Sequence, residues 1–99
     1  MAIQIRATEV FSDWLDSLKD RAGRARIQAR IERLAGGNPG QHRNLKRGVS
    51  ELKIDVGPGY RVYYLKRGDV LIILLCGGDK STQRDDIKRA YEMVGDLES

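Results

Sequence analysis

The chain has 99 residues, in which 18 Lys and Arg outweigh 14 Asp and Glu to give a net charge of +4 and a pI near 9.5. That length makes one domain, residues 1–99, with a modest core and no room for a second folding unit. The single cysteine, Cys76, excludes a disulfide framework and a thiolate metal cage, and the longest apolar run, residues 70–76, is too short to span a bilayer. The charge is unevenly spread. Residues 21–47 carry eight basic side chains (Arg21, Arg24, Arg26, Arg30, Arg33, Arg43, Lys46 and Arg47) against the single acid Glu32, a local balance of +7. Residues 81–99 carry three basic side chains against five acids, a balance of −2. Such asymmetry points to one face meant for a polyanion or an acidic protein partner, although any single arginine on a helix is ordinarily just solvated charge.

In chain order, residues 2–6 alternate weakly and read as a strand. They lack the charged leader and long apolar run of a signal peptide, which makes the expected location cytoplasmic with no membrane partner. Thr8 is a good N-cap, and Val10, Phe11, Trp14, Leu15 and Leu18 after it have helical spacing. A break at residues 20–23 leads into a second helix ending near Ala35, with Ile27, Ile31 and Leu34 inward and the arginines outward. So tight a joint predicts an antiparallel helical hairpin laid on a sheet. Gly36-Gly37-Asn38-Pro39-Gly40 ends that helix, and residues 41–48 form a basic loop.

Three strands are predicted next. Residues 49–56 alternate, with Leu52, Ile54 and Val56 on one face and Glu51, Lys53 and Asp55 on the other. Gly57-Pro58-Gly59 turns the chain into residues 60–66, with Arg61 and Tyr63 on one face, read as exposed, and Tyr60, Val62 and Tyr64 on the other. Arg67-Gly68-Asp69 turns it again into residues 70–76, apolar on both faces as a central strand should be, and Cys76 there reads as a buried small hydrophobe. Ser81 or Thr82 caps a last helix with Ile87, Ala90, Tyr91 and Val94 inward, Thr82 and Asp85 mimicking a capping box. The expected fold is therefore α+β in the order β-α-α-β-β-β-α, with a small, mostly antiparallel sheet.

ELKIDVGPGYRVYY, the apolar strand after it, GGDKSTQ and a closing helix with Asp86, Ile87 and Ala90 together resemble the RelE/ParE toxin superfamily. The similarity is strongest to its addiction-module killer, HigB-like branch, and covers nearly the whole chain. The resemblance implies the toxin of a type II toxin–antitoxin system. Its activity would be metal-independent, ribosome-dependent cleavage of mRNA that inhibits translation. Its partners would be the ribosome, mRNA and a cognate antitoxin, a helix-turn-helix protein through which alone operator DNA is touched. Some superfamily members instead poison DNA gyrase without catalysis, and a non-cutting RNA-binding domain is a third reading.

Cutting RNA through its own 2′-hydroxyl needs a base, a cation to steady the phosphate, and an acid for the leaving oxygen. The resemblance places Arg61, in the GYR position, in the cationic role; the alternative is a salt bridge to Glu51 or Asp55. Lys80 precedes a helix N-terminus, where phosphate is favoured, and the resemblance puts it near the family's catalytic or phosphate-gripping basic residue; the alternative is that Asp79 and Lys80 are merely polar turn residues. Glu51 is the candidate base or else one half of a cross-strand ion pair, and Lys53 shares its face. Arg24, Arg26, Arg30, Arg33, Arg43, Lys46 and Arg47 are the candidate RNA-backbone contacts. The acid stays unassigned: His42 sits in the basic loop and Tyr91 on an apolar stripe, whereas the superfamily's late tyrosine or histidine has Gln83-Arg84-Asp85-Asp86 in its place. No metal or cofactor is implied. Asp85 and Asp86 suit the first turn of a helix on dipole grounds alone, and the paired glycines lack any nucleotide-binding fingerprint.

Overall fold

A computed structural model describes residues 3–98; Ala2, where the expected first strand begins, lies outside them. The elements are β1 (Gln4–Ala7), α1 (Glu9–Ser17), α2 (Arg21–Ala35), β2 (His42–Asn44), β3 (Val49–Ile54), β4 (Tyr60–Arg67), β5 (Leu71–Asp79) and α3 (Gln83–Glu98), the last preceded by a single 3₁₀ turn, Lys80–Thr82. The sheet order is β1-β5-β4-β3-β2, with β1 parallel to β5 and the other pairs antiparallel. The order along the chain is thus β-α-α-β-β-β-β-α. The additional strand is β2, inside the stretch expected to be a loop. Its three residues are all exposed and carry no apolar alternation, so pairing with β3 alone makes it a strand.

Local chemistry fixes the helices as the spacing predicts. Thr8 Oγ1 accepts from the Phe11 amide at 3.1 Å and donates to the Leu75 carbonyl at 2.7 Å, so one hydroxyl caps α1 and ties it to β5. Asp20 caps α2 through Gly23 at 2.9 Å, and its other oxygen accepts from the Tyr60 hydroxyl at 2.8 Å. The cap before α3 differs from expectation. Asp79 takes the position, accepting from the Ser81 amide at 2.8 Å while Thr82 reaches back to the Asp79 amide at 3.3 Å.

Helices cover both faces of the sheet. Phe11, Ile27 and Leu34 from α1 and α2 pack with Leu52, Ile54, Tyr60, Val62, Tyr64, Ile72 and Leu74 on one face. Ala90 and Val94 of α3 pack with Val49, Tyr63, Leu65, Leu75 and Cys76 on the other. The side-chain alternation therefore matches the sequence reading, but the expected exposure of the Arg61 face does not. That face lies beneath α3, and Glu51 and Arg61 are buried at 0% and 4% exposure. β5 also runs past its apolar core into Gly77 and Gly78, which pair with Val62 and Arg61. Both glycines stand where side chains press on the sheet, Trp14 over Gly77 and Asp86 over Gly78.

Candidate functional site

The register of β3, β4 and β5 assembles the site. Lys53 lies directly opposite Arg61, Glu51 opposite Tyr63, and Tyr60 opposite Asp79, so Glu51, Lys53 and Arg61 share the α3 face and Lys80 follows at the same end. The Val56–Tyr60 turn closes that end. Gly57 and Gly59 both have positive φ (53° and 81°), a backbone that residues with a Cβ rarely adopt. A Cβ built on Gly59 would lie 3.5 Å from Lys80 Cδ and 3.6 Å from Arg61 Nη1, so the bare glycine sits between two cations. Asp55, Gly57, Pro58, Gly59 and Lys80 line an open cavity of about 400 Å³ there.

Arg61 is underpaired. Its Nη1 donates to the Tyr60 carbonyl at 3.0 Å, and the nearest carboxylate, Asp55, is 3.7 Å away on a side chain 60% exposed. Its Nε is buried without a hydrogen-bond partner. A buried donor left unmade costs about 1–3 kcal/mol, more on a charged group, and Lys53 opposite adds like-charge repulsion. The arrangement would be relieved by an anion.

Glu51 is in the opposite condition. Its Oε1 accepts from Arg43 Nε at 2.8 Å and its Oε2 from Gln83 Nε2 at 2.9 Å. Burial alone would raise its pKa, but the hydrogen bonds from Arg43 and Gln83 outweigh it and hold the carboxyl below its usual range. A carboxylate so held is a weak base. It forms the cross-strand ion pair, with Arg43 on β2 as the partner. Opposite it, the buried Tyr63 hydroxyl has no well-formed hydrogen bond, and burial, then the Glu51 charge, keeps its proton firmly bound.

The basic residues of the middle segment are divided between the two sides of the sheet. On the α2 side, Arg26, Arg30 and Arg33 border a groove of about 310 Å³ that ends at Asp55. Arg30 is largely structural, its guanidinium donating to the carbonyls of Lys53 (2.6 Å), Pro39 (3.0 Å) and Gln41 (2.8 Å). Arg24 is half-buried on the same helix. On the α3 side, Arg43 holds Glu51, the Lys46 amide donates to the Tyr91 hydroxyl at 3.2 Å, and Arg47 reaches the Tyr91 carbonyl at 3.4 Å. His42 is exposed, with Nδ1 2.7 Å from the Gly40 carbonyl. Gln83 is the participant that sequence reasoning did not single out; Asp55 is the salt-bridge partner it offered as the alternative for Arg61. The register Arg43↔Glu51 that brings Arg43 to the carboxylate depends on β2, which has no apolar signature to find, and Gln83 reaches it from the start of α3.

A family model described as Phage derived protein Gp49-like (DUF891) matches residues 13–94. The chain belongs to this family. One relative of this Gp49-like chain is an uncharacterized protein of Haemophilus influenzae, 50% identical over 97 residues and covering 98% of each sequence. Among solved structures, the free state of a double arginine-to-alanine mutant of the Escherichia coli toxin RelE superposes with a TM-score of 0.66 at 15% identity, covering 90% of this chain and 98% of that one. The Gp49-like chain therefore has a RelE-like fold.

Proposed function

We propose that this Gp49-like protein is the toxin of a type II toxin–antitoxin pair, of the HigB-like kind, and acts in the cytoplasm on mRNA at the ribosome. The observation that carries the reading is the underpaired Arg61, buried between Lys53 and Lys80 at the end of the sheet. A fixed cation with an unused donor suits a phosphorane, whose charge develops only during reaction. Lys80 and Lys53 supply further positive charge, Gly57-Pro58-Gly59 lets the RNA backbone approach, and Glu51 positions Arg43 and Gln83 rather than taking a proton. The exposed arginines of α2 and the Lys46-Arg47 loop are assigned to RNA backbone. A helix-turn-helix antitoxin covering this surface would silence it.

Inducing the chain alone should stop growth through translation, with new mRNA 5′ ends appearing before DNA synthesis fails. Early double-strand breaks or lost supercoiling would replace this reading with gyrase inhibition. Arg61→Ala should lower cleavage by about a hundredfold or more, the scale of losing one charge-stabilising donor. One observation favours a second reading, RNA binding without cutting: no acid is assigned, the His42 ring lying exposed beside the Gly40 carbonyl and Tyr91 packing against the α3-side core. Intact mRNA on toxin-bound ribosomes at full growth arrest would select it.

A further inference from the structure

Two concavities, one lined by arginines and one by Lys80, meet at one acid. The α2 groove with Arg26, Arg30 and Arg33 and the cavity with Gly57, Gly59 and Lys80 at the end of the sheet are separate, yet Asp55 lines both. Asp55 immediately follows β3, at that end of the sheet. Its side chain is 60% exposed, and its Oδ1 stands 3.7 Å from Arg61 Nη1, longer than a hydrogen bond. The buried Arg61 Nε is left without a partner. Asp55 also acts on the other groove, since its charge opposes the burial that lowers the Arg30 pKa.

We propose that Asp55 is the internal counter-ion of one polyanion track, running from the α2 arginine groove over the end of β3 to Arg61 and Lys80, and that a bound phosphate takes its place beside Arg61. An exposed carboxylate at this distance balances the guanidinium weakly, so it can be displaced at low cost. It also sets a threshold, because anions too weak to displace it gain nothing from Arg61. The track rests on reading this surface as RNA-binding, but the counter-ion itself can be tested without RNA.

The experiment titrates inorganic phosphate, and separately a single-stranded DNA long enough to span both concavities, into the parent, Asp55→Asn and Asp69→Asn. DNA lacks the 2′-hydroxyl and cannot be cut by that route. Asp69 is 97% exposed and removes the same charge at a different turn. Binding is read by calorimetry and by the ¹⁵N resonance of Arg61 Nε. Asp55→Asn should bind phosphate about two- to fivefold more tightly, the worth of an exposed ion pair, and Asp69→Asn should stay near the parent. The Arg61 Nε resonance should move on binding, and the DNA should gain at least as much as phosphate does. Equal effects of the two substitutions, or an unmoved Arg61 resonance, would overturn the counter-ion. A gain for phosphate with none for DNA would overturn the track. Tighter binding by a protein that never cuts RNA would remove the ribonuclease reading and leave Asp55 in its role; cutting with unchanged affinity in Asp55→Asn would do the reverse.

Discussion

Arg61 is held where stability alone would not put it. Exchanging it for Met keeps length and apolar contact while removing a weakly paired buried charge. Such exchanges are often neutral or stabilising, so Arg61→Met should raise the urea midpoint by an amount worth about 1 kcal/mol while abolishing cleavage. A lowered midpoint would make the guanidinium a structural tie instead. Glu51 predicts the opposite. Its folded pKa lies below the ordinary 4.5, so its contribution is fully present above that value and is lost as pH falls through the lower folded value. Acid unfolding followed by circular dichroism should therefore be steeper below about pH 4.5 in the parent than in Glu51→Gln. Equal slopes would mean that Arg43 and Gln83 do not stabilise the charged form. At this scale the sequence was legible in part. Alternation puts Glu51, Lys53 and Arg61 on one face, but it does not say what covers that face. Because α3 covers it, a residue read as exposed is buried, and the carboxylate left open between base and cross-strand ion pair is locked in the pair.

Among the elements, α1 and β5 depend on one close approach. The Trp14 ring rests on Gly77 and stands 6.3 Å, edge-on, from the Tyr60 ring. Gly77→Ala would drive a methyl group into the indole and should destabilise the fold by roughly 1–3 kcal/mol, as overpacking does, visible as a lower melting temperature. If the melting temperature holds, Trp14 is free to move aside. The long periodic elements, α1, α2, β3, β4 and α3, are readable from spacing because burial of one face dictates the pattern. β2 is not, since an exposed edge strand has no face to bury. The β5 extension is hidden because paired glycines look like a turn when Trp14 and Asp86, which fill their missing side chains, are distant in sequence.

For the whole molecule, charge decides the encounter and topology decides its timing. The exposed cations should make ribosome binding fall steeply between roughly 50 and 200 mM salt, and neutralising Arg26 or Arg33 should flatten the log–log slope by about one unit or slightly less. Arg30→Ala should instead lower stability, because three backbone carbonyls lose their donor. A salt-indifferent binding curve would assign the basic surface to a protein partner. The parallel pairing of Gln4–Ala7 with residues 71–74 has its own consequence. The first strand made must wait for the last, and the last becomes the inner strand between β1 and β4. No version of this chain that stops before β5 can join β1 to the sheet, so synthesis leaves the sheet open until Asp79 is made. Nascent chains stalled before Leu71 should remain protease-sensitive throughout, and a resistant fragment there would show that the remaining strands fold without their centre.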